Sequence, residues 1–230
     1  MCGVIGVVLR HPTQSQYEML RCIFHESKIR GKHATGISYL KQNQIHTERH
    51  ALPADQCVFD FPSYLNEDGN LYLIGHCRYS TSDLVYNQPI ANESLAIVHN
   101  GVVSQELPEN WGQLYGYFCD TKNDSELLLR TVEKNESPLI QWSGASLAVC
   151  ELHPNKTIRA YRNGKRPLYL TIQENGYLLT STSDIPRRAG IQTPTEPFPM
   201  NEYVTFDANL FIRHEKVCIN TVDLQGMQYV

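Results

Sequence analysis

The chain opens MCGVIGVVLR, residues 1–10, and Val4 to Leu9 is an apolar run of the length of one buried strand. A cysteine directly behind the initiator methionine has two readings. In the plain one, Cys2 is only the residue that precedes a core strand. In the other, Met1 is removed and Cys2 carries a thiol and a free α-amine on one residue, a compact nucleophile with its own base. A thiol of pKa about 8.5 is only slightly ionised at neutral pH, and an α-amine of pKa about 7.7–8.0 is matched to take its proton. The rest of the chain decides between the two.

Beyond that strand, Thr13 and Gln16 stand at capping-box spacing, and Tyr17, Leu20, Ile23 and Phe24 recur at helical spacing. Together they predict a helix near residues 14–29 with Gly31 as its stop. Ala34 to Leu40 and Gln44 to Ala51 predict a strand pair about a turn at Gln42 and Asn43. Leu71 to Cys77 and Leu95 to His99 predict short strands that end in polar residues, and DSELLLRTVEK, near 124–134, predicts a second helix. From Ala145 the texture becomes strands: SLAVCEL, TIRAYR, PLYLTI, GYLLTS, EYVTF and NLFIRHE. Turn signals separate them at His153-Pro154-Asn155, Asn163-Gly164, Asn175-Gly176 and Asp207-Ala208-Asn209. Two helices among many strands make an α+β arrangement. With no internal repeat and no low-complexity linker, residues 1–230 are expected to form one domain.

Composition narrows the function. Hydrophobic residues are 41% and charged residues 19% of the chain, the balance of an ordinary globular protein. A net charge of -4 argues against a nucleic-acid-binding surface. No apolar run reaches the roughly 18 residues of a transmembrane helix, and the short N-terminal apolar run lacks the basic flank of a signal peptide. Seven cysteines, odd in number, widely spaced and without a C-x-x-C pair, fit neither a zinc ribbon nor a disulfide framework. A reducing, cytoplasmic compartment is the expected location, with neither a nucleic acid nor a membrane as partner.

Three strand or helix ends hold the polar residues that bear on chemistry. GHCRYST, Gly75 to Thr81, contains Arg78, whose guanidinium can grip a carboxylate by two bonds, or can serve a structural ion pair. AIVHNG ends in Asn100 and Gly101, which read as a hairpin turn or as two donors for an oxyanion. NDSE places Asp124 at a helix start, where a carboxylate is expected and reads as a cap or a first-turn acid. His76 and His99 read as satisfied structural histidines. They have no cysteine or acid at zinc-site spacing, so no metal is expected. Neither phosphate-binding glycine motif occurs.

C-G-V-I-G at the start, then R-G-x-x-A-x-G, G-H-x-R-Y-S-T, Q-P, H-N-G and D-S-E, in this order, resembles the class II glutamine amidotransferases. These are the N-terminal-nucleophile glutaminase domains. Arg162 to Tyr169, R-N-G-K-R-P-L-Y, is similar to a further segment of that family, and the resemblance runs from Cys2 to about Ser183. It implies the four-layer αββα sandwich of N-terminal nucleophile hydrolases. It implies Cys2 as nucleophile once Met1 is gone, and Asn100 and Gly101 as the oxyanion pair. It further implies that Arg78 holds the α-carboxylate of L-glutamine, and that Asp124 holds its α-ammonium. Tyr79, Ser80 and Thr81 would line the pocket, and Arg30 and Gly31 would support the nucleophile. No cofactor is implied.

This chain departs from the family pattern at His33, where an acidic residue is usual, at Asn163 in place of an aspartate, and at Ser183-Asp184 in place of S-E. Asp120 competes with Asp124 for the ammonium role. Since no synthase or transferase sequence follows the glutaminase motifs, the expected arrangement is a subunit that passes ammonia to a separate synthase or transferase. Two alternatives are a hydrolase of another γ-glutamyl amide and an idle regulatory scaffold.

Overall fold

The computed structural model describes residues 2–80 and 85–217. The N-terminal strand β1 (Gly3–Leu9) has all seven residues buried. It is followed by α1 (Gln14–Ser27), opened by the expected capping box between Thr13 and Gln16. A 3-10 turn, Lys28–Arg30, continues the helix, so Gly31 ends that turn and not the α-helix itself. β2 (Ala34–Lys41) and β3 (Gln44–His50) form a hairpin. Its two-residue turn has positive φ at Gln42 and Asn43, as a tight hairpin twisted like its strands requires. β4 (Leu71–Arg78), β5 (Ile90–Ala91) and β6 (Ala96–His99) follow. Next come α2 (Trp111–Tyr115), α3 (Ser125–Glu133) and α4 (Pro138–Gln141). The remainder is β7 (Ala148–His153), β8 (Thr157–Arg162), β9 (Tyr169–Gln173), β10 (Gly176–Thr180), α5 (Asp184–Arg188), β11 (Thr195–Pro197), β12 (Glu202–Phe206) and β13 (Ile212–Lys216).

Two antiparallel sheets result, one ordered β11-β9-β10-β1-β4-β2-β3 and the other β13-β12-β8-β7-β6-β5. Alternation along each strand sorts side chains into three apolar layers. Val4 and Val8 of β1, Ile74 of β4 and Leu179 of β10 meet Val98, Cys150, Ala160 and Val204 of the second sheet in the central core. Ile5, Val7 and Leu9, on the opposite face of β1, pack beneath Leu20, Ile23 and Phe24 of α1 and Ile185 of α5. Ile97, Val149 and Tyr161 carry α3 and its neighbours through Leu127, Leu128, Trp111 and Trp142. Helix, sheet, sheet, helix is the αββα order the resemblance implies. A strand covered on both faces explains why β1 reads as a continuous apolar run without alternation.

Sequence periodicity finds the long elements and passes over the short ones. α2, α4 and α5 span only 5, 4 and 5 residues, too few for an apolar stripe to declare itself. Asn163-Gly164 does separate two strands, as the turn signal suggests. It begins the crossing from β8 in one sheet to β9 in the other, and Asn163 Oδ1 accepts the Leu147 N–H at 3.1 Å while its Nδ2 donates to the Ala145 carbonyl at 2.8 Å. The second bond needs an amide, which accounts for asparagine at this position. Among the described residues no helix is long and apolar enough to cross a membrane.

A charge lies in the second sheet. Glu151 is fully buried and accepts from Arg159 Nε at 2.7 Å, directly across the β7–β8 ladder, with His153 Nε2 at 3.0 Å. Burial alone raises the Glu151 pKa, but Arg159 and His153 more than offset it and hold the carboxyl below its ordinary value. Truncation in Glu151→Ala leaves Arg159 unpaired beside the apolar face of Tyr203 and is expected to cost about 3–5 kcal/mol in denaturant unfolding. Because the folded pKa is depressed, this contribution is complete above the unfolded carboxylate value and is lost as pH falls through the folded one. Glu151→Gln should therefore flatten the acid limb of a stability–pH profile.

Candidate active site

The start of β1, the end of β4, the end of β6 and the start of α3 converge on one cleft of about 300 Å³, lined by Cys2, His76, Arg78, Tyr79, Ser80, Gln88, His99, Gly101 and Asp124 among others. Side chains at 2, 4, 6 and 8 share one face of the N-terminal strand, the face turned toward the second sheet. That places Cys2 opposite the tip of β6. The Cys2 nitrogen donates to Asn100 Oδ1 at 3.1 Å. Sγ lies 4.0 Å from the Tyr79 carbonyl oxygen. With Oδ1 engaged, Asn100 Nδ2 is buried without a hydrogen-bond partner among the described residues.

Asn100-Gly101 is not a hairpin turn. Gly101 has φ +154°, and a Cβ there would stand 1.7 Å from the Ser146 carbonyl oxygen and 2.6 Å from His99 Nε2. Only glycine lets the chain pass over the bond from His99 Nε2 to that carbonyl, 2.9 Å. Since a carbonyl only accepts, His99 carries its proton on Nε2, and Nδ1 accepts from Ser125 Oγ at 3.1 Å. Gln88 completes the network. Its Oε1 accepts the His99 N–H at 2.6 Å, and its Nε2 donates to the His99 carbonyl at 3.1 Å and to Ser125 Oγ at 3.0 Å. This buried lattice fixes the backbone that presents Asn100 and Gly101. His99 is thus the satisfied structural histidine the sequence suggested. Gln88 and Ser125 stand in the Q-P and D-S-E motifs, but nothing in those strings announces that they serve His99.

His76 differs from that expectation. It is fully buried, neither ring nitrogen makes a well-formed hydrogen bond among the described residues although the His99 backbone lies close by, and burial, aided by the proximity of His99 and Arg78, pushes its pKa down to about 3. A neutral imidazole therefore lines the cleft.

Arg78 Nη1 donates to the Tyr86 carbonyl at 2.9 Å and to Asn87 Oδ1 at 2.6 Å, which anchors the guanidinium at the cleft. Tyr79 is half exposed and its ring packs on His33 with centroids 5.0 Å apart. Ser80 donates its N–H to His33 Nδ1 at 2.8 Å. Thr81 lies outside the described residues. Asp124 is not a side-chain cap. Its Oδ2 accepts from Val103 N at 2.6 Å and Ser104 N at 3.4 Å, while Asn123 Oδ1 takes the Ser125 N–H at 3.1 Å. Asp124 Oδ1 has no partner among the described residues. Asp120 stands apart from this cleft: it is almost wholly exposed and paired with Arg130 at 2.6 Å, in a separate depression.

Arg30 lies near Cys2, and Gly31 packs against the end of β4. A Cβ on Gly31 would meet the backbone of Cys77 and Arg78 at 2.3 Å, so this glycine admits the turn against the end of β4. Burial lowers the Arg30 pKa, and the proximity of Cys2 and Asp184 opposes that shift. Arg30 Nε and Nη2 are buried without partners among the described residues. Arg166, in R-N-G-K-R-P-L-Y, stands close enough to disfavour the cationic forms of both Arg30 and His99. Among the described residues no cluster of histidine, cysteine and acid has the arrangement of a metal site.

No family model matches the chain. Glutamine–fructose-6-phosphate aminotransferase (isomerizing) of Clostridium perfringens is 27% identical over 208 residues, covering 81% of this chain and 32% of the relative. The enzyme of that name from Bartonella henselae is 29% identical over 147 residues, covering 58% and 22%. The chain therefore spans about one third or less of the curated relatives it matches. Among solved structures, glutamine phosphoribosylpyrophosphate amidotransferase from B. subtilis, complexed with ADP and GMP, superposes with TM-score 0.70 at 20% identity, covering 94% of this chain and 49% of that one. An allosteric regulatory enzyme of purine biosynthesis gives 0.69 at 20% identity, covering 95% and 50%. The structures establish the shared fold and the curated relatives a shared sequence, and together they make this chain a homologue of the class II, N-terminal-nucleophile glutamine amidotransferase domains.

Proposed function

We propose that the chain, read over 1–230 as one glutaminase unit, hydrolyses the side-chain amide of L-glutamine to glutamate and ammonia through a Cys2 γ-glutamyl thioester. The observation that supports this most directly is the state of Asn100. Its oxygen orients the nucleophile's own nitrogen, which leaves a buried, unpartnered N–H₂ beside Gly101 at the same strand end. Glutamine enters with its α-carboxylate on Arg78 and its α-ammonium on Asp124 Oδ1. Tyr79 and Ser80 flank it.

After loss of Met1, the neutral α-amine of Cys2 takes the thiol proton while one of its N–H groups continues to donate to Asn100. The sulfur bonds to the amide carbon, and the carbonyl pair moves onto oxygen, where Asn100 Nδ2–H and Gly101 N–H receive it. Donors fixed before the reaction stabilise this charge without reorganisation. Collapse breaks the C–N bond, and the ammonium proton passes to the leaving nitrogen as ammonia departs. Water then attacks the thioester, its proton returns to the amine and then to sulfur, and glutamate leaves. The ammonia passes to a separate synthase or transferase. The aminotransferase and amidotransferase names of the longer relatives support transfer of the nitrogen to an acceptor.

Intact mass before and after exposure to a diazo-ketone glutamine analogue tests the nucleophile. Loss of Met1 and a single adduct, absent in Cys2→Ala, is the expected result. Glutamine turnover that survives in Cys2→Ala would overturn the mechanism. Arg78→Ala should weaken glutamine binding by about 2–5 kcal/mol, read as a raised KM. An unchanged KM would remove Arg78 from the carboxylate site. Asn100→Ala should lower kcat roughly 10²–10³-fold with an unaltered circular dichroism spectrum. Adding the ammonia-accepting partner should raise glutaminase activity, and that partner alone should work with ammonium salts. A partner inactive with ammonium would reject the transfer step.

A further inference from the structure

His33 touches three consecutive residues of the turn that follows β4, through three different groups. Its backbone N–H donates to the Arg78 carbonyl at 3.0 Å. Its ring face packs on the Tyr79 ring, centroids 5.0 Å apart and tilted by 39°. Its Nδ1 accepts the Ser80 N–H at 2.8 Å. An amide N–H can only donate, so Nδ1 carries the lone pair and the ring is the neutral tautomer protonated at Nε2. The Tyr79 carbonyl in turn lies 4.0 Å from Cys2 Sγ, and Arg78, Tyr79 and Ser80 all line the cleft.

We infer that His33 is the positioning residue of the substrate turn: its imidazole holds Ser80 by a hydrogen bond and Tyr79 by ring packing, and so sets where Arg78 meets the substrate. This rests on the glutaminase reading above. A carboxylate, the residue type usual here in the family this chain resembles, could accept the Ser80 N–H but could not pack on Tyr79. Imidazole does both. His33 makes none of the hydrogen bonds that hold Asn100 or Gly101, so its loss acts on binding more than on the bond-breaking step.

Two substitutions separate the contacts. In His33→Asn, Oδ1 stands one bond from Cγ as Nδ1 does in histidine, so the acceptor remains and the ring is lost. In His33→Phe the ring remains and the acceptor is lost. The measurements are amide hydrogen exchange at Ser80 in the substrate-free protein, and glutamine KM and kcat. One lost hydrogen bond corresponds to about a tenfold change. His33→Phe should exchange Ser80 about tenfold faster and raise KM about tenfold, with kcat within about threefold of wild type. His33→Asn should stay near wild type in Ser80 exchange and recover most of KM. If the phenylalanine chain misfolds, His33→Ala replaces it in the same comparison. Equal Ser80 exchange in wild type and His33→Phe, or His33→Asn as impaired as His33→Phe, would overturn the inference. A wild-type chain that exchanges as expected but never turns over glutamine would reject the glutaminase reading alone, because Ser80 exchange is read without substrate.

Discussion

The bond from the Cys2 nitrogen to Asn100 Oδ1 ties together the tips of two sheets whose facing surfaces pack through an apolar core. It forms where the first residue of the described chain, at the tip of β1, meets the residue just past β6. Everything about the site depends on those two tips arriving at the same place. β1 is fixed by ladders to β10 on one side and β4 on the other, with apolar layers on both faces. A one-residue slip would turn Cys2 toward α1 and bury the thiol in the outer core. The continuous burial of Gly3 to Leu9 is thus the reason that Cys2 can be a positioned group and not a frayed terminus.

The opposite tip is held by hydrogen bonds. Asn100 follows His99, and His99 is held by Gln88, Ser125 and the Ser146 carbonyl, every ring nitrogen and backbone group engaged. A fully satisfied buried network rigidifies what it surrounds, whereas a partly satisfied one costs stability. Gly101 belongs to the same constraint, since its missing side chain is what lets the His99–Ser146 bond run beneath the backbone. One tip is thus located by packing and the other by polar contacts, and Asn100 is where the two meet.

How much of this the sequence disclosed follows from the range of each signal. The hairpin turn at Gln42-Asn43, the Thr13–Gln16 capping box and the buried strand β1 rest on contacts within a few residues, and local patterns report them. Motif order located Cys2, Arg78, Asn100, Gly101 and Asp124, and the fold brings them to one cleft. It could not report that Asp124 reaches back to the N–H groups of Val103 and Ser104, some twenty residues earlier. Nor could it report that Asn123 takes over the cap. His76 and His99 look alike in the sequence, each at the end of an apolar strand. The difference lies in Ser125 and the Ser146 carbonyl, which hydrogen-bond the two ring nitrogens of His99 and not those of His76. His33 registered only as a departure from a pattern, because its meaning lies in a contact 47 positions away with Ser80.

Buried polar atoms in native proteins almost always find partners, so the exceptions are informative. Arg30 Nε and Nη2, both ring nitrogens of His76 and Asn100 Nδ2 are such exceptions. All three residues stand beside Cys2 or line the cleft with it. Folding alone gains nothing from leaving five such atoms unpaired, since each forfeits solvation worth about 1–3 kcal/mol without a compensating bond. The same sheet ends contain a network in which every polar atom of His99 is served, so the chain is able to satisfy buried groups here. Other buried atoms without partners among the described residues lie elsewhere, Tyr161 Oη and Asn201 Oδ1 for example; on the glutaminase reading proposed above, the polar atoms around Cys2 would find theirs when substrate binds, at a cost carried by the apolar layers on either side of β1.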